Sequence, residues 1–193
     1  LEPEERLFFS RFKDCFAVDG SILKLNKTLE KMFKSTCESK SALKLNTKFS
    51  IRNLAVTKLQ VTEGKRNDSR FNVITKVPNI LYLFDLGYWS FARFKKIAEV
   101  GSFFVSRLKK GCDPLIVAVS DMKLAHLVGK RLSQITSVLG DMNELDVRVH
   151  LSKSKKSAFN IEFRLVGILY EGEWRFYVTN IFDALFTPQV IYE

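Results

Sequence analysis

The sequence predicts an α/β or α+β domain built around a central mixed sheet. Three observations carry this. Leu43, Leu45, Thr47, Phe49 and Ile51 alternate with Lys44, Asn46, Lys48, Ser50 and Arg52, the period-two signature of a half-buried strand. Ile80-Leu81-Tyr82-Leu83-Phe84 is apolar without interruption, as expected of a strand buried on both faces. Segments with helical periodicity separate such strands, which favours a layered sheet-and-helix arrangement.

In chain order, residues 4–13 read as a short helix with Leu7, Phe8 and Phe12 on one face, and 15–23 as an apolar strand interrupted by Asp19. Lys27 to Thr36 reads as a helix with Leu29, Met32 and Phe33 inside. The alternating strand at 43–51 is expected to turn a wet, basic face outward, and a second strand follows at 55–62. Asn67-Asp68-Ser69 can cap a short helix ending before Pro78. After the apolar strand at 80–84, Ser90 caps a helix with Phe91, Phe94, Ile97 and Ala98 inside, and Gly101 stops it. Residues 102–108 form another strand, ending in the basic turn Lys109-Lys110-Gly111. Lys123 to Leu139 reads as one amphipathic helix with Leu124, Leu127, Val128, Leu132 and Ile135 inside. Two alternating strands follow (Leu145 to Leu151, and Phe159 to Leu165), joined by the polar basic stretch 152–157. Glu171-Gly172 turns the chain into a strand from Trp174 to Ile181, and Thr187-Pro188 pairs an N-cap with the favoured first-turn proline.

Composition narrows the function classes. Thirty-one Lys and Arg against 21 Asp and Glu leave a net charge of +10 on 193 residues, and 46% hydrophobic content with 17 Phe supplies a real core, which excludes a disordered chain. No apolar run approaches the ~20 residues of a membrane span. Cys15, Cys37 and Cys112 are too scattered for a disulfide framework or a zinc site and fit a reducing compartment; His126 and His150 have no partner pattern. Leu1-Glu2-Pro3-Glu4-Glu5 has no signal-peptide character. P-loop, dinucleotide, zincin and nucleophile-elbow motifs are missing from the sequence. The expectation is a soluble cytoplasmic protein whose basic excess points first to nucleic acid.

Two residues carry the chemistry. Asp19 interrupts one apolar strand and Asp85 ends another. Ionised carboxylates on neighbouring strands repel, and a divalent cation such as Mg²⁺ relieves that repulsion while leaving coordination positions for water and phosphate oxygens. As turn residues bonded to local amides, the same aspartates would need no metal. Tyr88 follows Asp85 closely, and Arg107, Lys109 and Lys110 end the next strand. If that strand lies parallel beside the Asp85 strand, cations for phosphate share a rim with the carboxylates. A solvated turn would explain Lys109-Lys110-Gly111 equally well. Trp174 reads as a core or edge aromatic, or as a platform for an unpaired base.

Three stretches together resemble the catalytic region of bacterial insertion-sequence transposases of the DDE type: Ala17-Val18-Asp19-Gly20-Ser21, Leu83-Phe84-Asp85-Leu86-Gly87-Tyr88-Trp89-Ser90-Phe91, and Phe103-Phe104-Val105-Ser106-Arg107-Leu108-Lys109. The run from Tyr177 to Tyr192 is similar to the approach to the family's Y-R-E-K helix. The resemblance implies a ribonuclease-H-like mixed sheet flanked by helices, with an inserted α+β lobe: residues 1–111 as the first part of the core, 112–173 as the insertion, and 174–193 as the return to the core. It implies metal-dependent phosphodiester cleavage and strand transfer at transposon ends with two Mg²⁺ ions, Mn²⁺ being an alternative. Asp19 and Asp85 would be the first two catalytic acids, and Tyr88, Arg107, Lys109, Lys110, Trp174 and Tyr192 would contact DNA. The implied partners are double-stranded DNA, as transposon ends and target, and a second copy of the protein in a homodimeric synaptic complex, with no membrane; the implied location is the bacterial cytoplasm, on the nucleoid when DNA is bound. In the signature the Glu falls seven residues after the Tyr, beyond the last residue here, so the chain is expected to be a fragment that lacks the third acid and is inactive by itself. A catalytically dead DNA-binding remnant and an unrelated ribonuclease-H-like nuclease share these features.

Overall fold

The computed structural model describes residues 9–35, 41–135, 137–151 and 161–192. Half of the helix expected at 4–13, the stretch 152–157 and the start of the strand expected from Phe159 lie outside them. The chain divides into two compact units, Leu1–Phe103 and Phe104–Glu193.

The first unit is a mixed sheet in the order β3-β2-β1-β4, formed by β1 (Asp14–Lys24), β2 (Ala42–Ser50), β3 (Ala55–Glu63) and β4 (Ile80–Phe84). β1, β2 and β3 are antiparallel neighbours, and β4 lies parallel to β1. β4 is buried at Ile80, Leu81, Tyr82 and Phe84, which accounts for its continuous apolar sequence. Helix α1 (Phe91–Glu99) starts at Ser90, whose hydroxyl accepts from the Arg93 amide, and gives way to Gly101 at φ +67°. Its buried face is Phe94, Ile97 and Arg93; Ala98, expected inside, is exposed. Arg93 is buried because its guanidinium donates to the carbonyls of Tyr88, Asp68 and Phe71, so three backbone acceptors take the place of water.

β2 reverses the expected sidedness. Ala42, Asn46, Lys48 and Ser50 are its buried positions, whereas Leu43, Leu45 and Phe49 are only half-buried. Asn46 bonds Tyr88, the Ser50 hydroxyl donates to Asp14, and the Lys48 ammonium lies 4.1 Å from the Phe16 ring centroid, so the polar face is the satisfied one. The expected helix at 27–36 is a single 3-10 turn at Lys27–Leu29, with Leu29 and Met32 exposed, and the helix expected after Asn67 is likewise one 3-10 turn, Asp68–Arg70. Three-residue turns have too few backbone hydrogen bonds to continue as helices without a buried stripe.

The second unit is antiparallel throughout, in the order β5-β9-β8-β7-β6: β5 (Phe103–Arg107), β6 (Leu115–Val119), β7 (Glu144–His150), β8 (Glu162–Tyr170) and β9 (Glu173–Thr179). Glu171 and Gly172 both have positive φ, 52° and 79°, the two-residue hairpin geometry whose twist matches the strands. The long helix expected at 123–139 is broken into a 3-10 segment (Met122–Leu127), the short helix α2 (Leu132–Ile135) and a 3-10 turn (Val138–Asp141). The cause is Gly129 at φ +85°, whose amide donates to the Ile116 carbonyl instead of continuing a helix. Thr187 caps the last helix, α3 (Pro188–Tyr192), by accepting from the Val190 amide.

Candidate active site

The parallel ladder between β1 and β4 pairs Asp14 with Ile80 and closes on Val18 with Phe84. The next residue on each strand is an aspartate. Asp19, midway along β1, and Asp85, just past the end of β4, therefore stand at the same level where the β1–β4 pairing stops, with parallel backbones about 4.8 Å apart. Both are exposed, not buried as carboxylates in apolar strands would suggest, so solvation meets much of the cost of their charge. Asp19 Oδ1 accepts from the Gly20 amide at 2.7 Å, and Thr47 Oγ1 donates to the Asp19 carbonyl at 3.3 Å. Asp85 precedes the 3-10 turn Leu86–Tyr88 with φ −73° and ψ 163°, and its side chain makes no cap bond to that turn.

Tyr88, expected at the DNA surface, is instead buried, and its hydroxyl donates to Asn46 Oδ1 at 2.7 Å. Burial above all, then the carboxylates of Asp68, Asp19 and Asp85, hold its hydroxyl far above the ordinary tyrosine range, against the opposing pull of Arg93. The Tyr88 ring centroid lies 6.3 Å from that of Phe84, the last residue before Asp85. Asp68 is the member that sequence reasoning missed, because it stands in a polar loop and reads as a helix cap. A β-carbon added to Gly87 would sit 2.9 Å from Asp68 Oδ2, and one added to Gly20 would sit 3.5 Å from Asp68 Oδ1 and 2.9 Å from the Tyr88 hydroxyl. Glycine at both places lets Asp68 approach the two motif segments. Its Oδ1 lies 3.0 Å from the Lys44 ammonium, which supplies the local countercharge. The one available signal was Gly20 and Gly87 flanking the two motif aspartates.

The remaining candidates lie in the second unit. Arg107 is exposed at the end of β5 opposite Tyr177, and Lys109 and Lys110 are exposed in the turn that follows. Trp174 is half-buried, its ring stacked on Phe176 at 5.6 Å and 9°, above the space left by Gly167. The Tyr192 hydroxyl accepts from Arg175 at 3.2 Å, with its ring 5.5 Å from that of Tyr170 and 6.1 Å from that of Tyr177. The first unit thus brings together Asp19, Asp85 and Tyr88 and adds Asp68.

The sequence matches the family described as Transposase DDE domain over residues 10–192. The chain belongs to the transposase DDE domain family. It is similar to the transposase for insertion sequence element IS231F of Bacillus thuringiensis subsp. israelensis, 28% identical over 105 residues that cover 52% of this chain and 22% of that protein. The IS231D transposase of subsp. finitimus is 26% identical over 108 residues, 53% of this chain and 22% of that one. The matched stretch of this DDE domain spans only about a fifth of these curated relatives. A chain of the piggyBac transposase synaptic complex with hairpin DNA aligns at TM-score 0.48 and 9% identity over 88% of this chain and 33% of that one, a loose likeness on which nothing further rests.

Transposases of the DDE family work with divalent metal ions. Among the described residues no group of three or more His, Cys, Asp or Glu is gathered closely enough to enclose an ion. The donor set that is present, two exposed carboxylates where the β1–β4 pairing stops, suits a hard divalent cation that keeps its other positions for water and phosphate oxygens. No helix of the described residues is long and apolar enough to cross a membrane.

Proposed function

We propose that this chain supplies two of the acids for the phosphodiester chemistry of an intact DNA transposase, with Asp19 and Asp85 as metal-holding carboxylates and the ends of a mobile element as substrate. The observation that carries the reading is the β1–β4 register, whose last pair, Val18 and Phe84, is followed on each side by an aspartate. A divalent ion held there would act as a Lewis acid toward a phosphate oxygen and help generate a hydroxide or 3′-hydroxyl nucleophile. The protein's own part is positional. The Gly20 amide engages only one oxygen of Asp19, and Asp85 is not spent on capping. Lys44 balances Asp68, so the third carboxylate adds little net repulsion, and Tyr88 and Asn46 satisfy one another. Mg²⁺ is the ion we assign, with Mn²⁺ as a functional substitute, and Arg107, Lys109, Lys110, Trp174 and Tyr192 are assigned to DNA. A homodimer synapsing two ends, and the division into a core at 1–111 and 174–193 around an insertion at 112–173, belong to the same proposal.

Calorimetric titration of the chain with Mg²⁺ and Mn²⁺ tests the site. Saturable binding is expected, and Asp19→Asn or Asp85→Asn should weaken it at least tenfold, since an amide is a neutral and poorer ligand for a hard cation. Unchanged binding in the double variant would remove the site.

A further inference from the structure

The loop between β3 and β4 carries a second charged surface on the same unit as Asp19 and Asp85. Glu63, Lys65, Arg66, Asn67 and Arg70 line an open hollow of about 370 Å³. Lys65, Arg66 and Arg70 are exposed, and among the described residues neither arginine has an ion-pair partner; Lys65 lies 4.0 Å from Glu63. The loop is pinned from several sides. The Gly64 amide donates to the Ala42 carbonyl at 2.8 Å, the Lys65 amide to the Lys34 carbonyl at 3.1 Å, and the Lys44 ammonium to the Arg66 carbonyl at 3.0 Å. Gly64 is required for this approach, because a β-carbon there would meet Ala42 Cβ at 2.8 Å. The cations therefore project from fixed backbone. The same few residues turn Asp68 the other way, toward Gly20 and Gly87.

We infer that Lys65, Arg66 and Arg70 form a clamp for the phosphate backbone of a DNA strand leading to the Asp19–Asp85 pair. The inference rests on the DNA-processing function proposed above. Its ligand follows from the chemistry. Two guanidinium groups and an ammonium on one rigid rim match closely spaced phosphates, and the hollow is too open and polar to enclose a small apolar molecule. A carboxylate site that acts on a polyanion needs neighbouring cations to offset its own field, and in this unit the loop supplies them. Lys44, Lys65, Arg66 and Arg70 outnumber Glu63 and Asp68, so the rim is net positive although it abuts the acidic site.

Anisotropy titration of a labelled duplex in EDTA, at several salt concentrations, tests the clamp without involving metal. Lys65→Ala/Arg66→Ala/Arg70→Ala should weaken binding tenfold or more at low salt and flatten log K against log salt by about 0.9 for each phosphate no longer neutralised. Arg66→Lys/Arg70→Lys should keep most of the slope. Lys95→Ala/Lys96→Ala/Lys130→Ala removes as much charge from other exposed positions and should change the slope less. Thermal unfolding of each variant separates loss of fold from loss of phosphate binding. A triple loop variant that keeps the wild-type slope, or an equal loss in the control, overturns the clamp while leaving DNA binding in place. A wild-type chain that ignores duplex but binds phosphatidylserine vesicles through these residues, or binds neither, overturns the DNA reading and the clamp together.

Discussion

The Tyr88 hydroxyl and Asn46 Oδ1, both buried, satisfy one another within the electrostatic reach of Asp68, Asp19 and Asp85. Tyr88→Phe leaves the Asn46 oxygen without its donor, and equilibrium denaturation should show a loss of about 1–2 kcal/mol. Metal titration of the same variant should show weaker binding than wild type if the Tyr88–Asn46 bond helps to position the two aspartates. Gly87→Ala tests the approach of Asp68 more harshly. A β-carbon 2.9 Å from Asp68 Oδ2 must push that carboxylate away, and the Lys44–Asp68 pair moves with it. Asp68 was invisible in the sequence because nothing local distinguishes a loop aspartate that caps a turn from one that folds back on two strands. Asp19 and Asp85 were visible because a carboxylate inside an apolar run has to be explained.

Among the secondary-structure elements, α1 and the loop before β4 are held together by Arg93. Its three backbone acceptors belong to Tyr88, Asp68 and Phe71, so one side chain ties the turn after Asp85 to the loop that carries Asp68. Arg93→Met keeps the stem but leaves buried carbonyls unpaired, and a destabilisation of about 3 kcal/mol is expected by urea unfolding. In the second unit, Gly167→Ala places a β-carbon 2.6 Å from the Phe176 ring and 3.2 Å from that of Trp174. The overpacking should cost about 1–3 kcal/mol and disturb the Trp174–Phe176 stack, which near-ultraviolet circular dichroism would record. The periodicity of β2 was legible but its inward face was not. Alternation gives two candidate faces, and hydrogen bonds from Tyr88 and to Asp14, together with the Phe16 ring, decided for the polar one. The helix expected over 123–139 failed for a related reason: its apolar spacing is helical, but Gly129 turns left-handed to bond Ile116.

Across the chain, two buried acids shape the response to alkali. Burial first, then the charge of Asp14, pushes the Cys15 thiol from 9.0 up to about 12, and Tyr88 is raised above its ordinary value as well. A group whose folded pKa lies above its unfolded value binds protons more tightly when folded. Its stabilisation is complete below the unfolded pKa and is lost as pH rises toward the folded one. Stability should therefore hold to about pH 9 and fall beyond it, with the limb shallower in Cys15→Ala and Tyr88→Phe; urea midpoints measured from pH 7 to 11 check the sign. Below pH 9 Cys15 should resist thiol reagents until the chain unfolds, whereas half-exposed Cys112 should react.

Local spacing and residue chemistry were sufficient for the strands β1 to β5, the cap at Ser90, the turn at Glu171-Gly172, the cap-proline pair at Thr187-Pro188 and the two aspartates, since each depends on neighbours a few positions away. No local signal marks the parallel seating of β1 against β4. Pairing across 66 positions is decided by which apolar surfaces fit together. The same holds for the buried face of β2, for Asp68 and for the cationic rim at Lys65, Arg66 and Arg70. Their roles come from contacts between residues distant in sequence, and a hydrogen bond or an ion pair across the fold leaves no periodic trace in either partner's own segment.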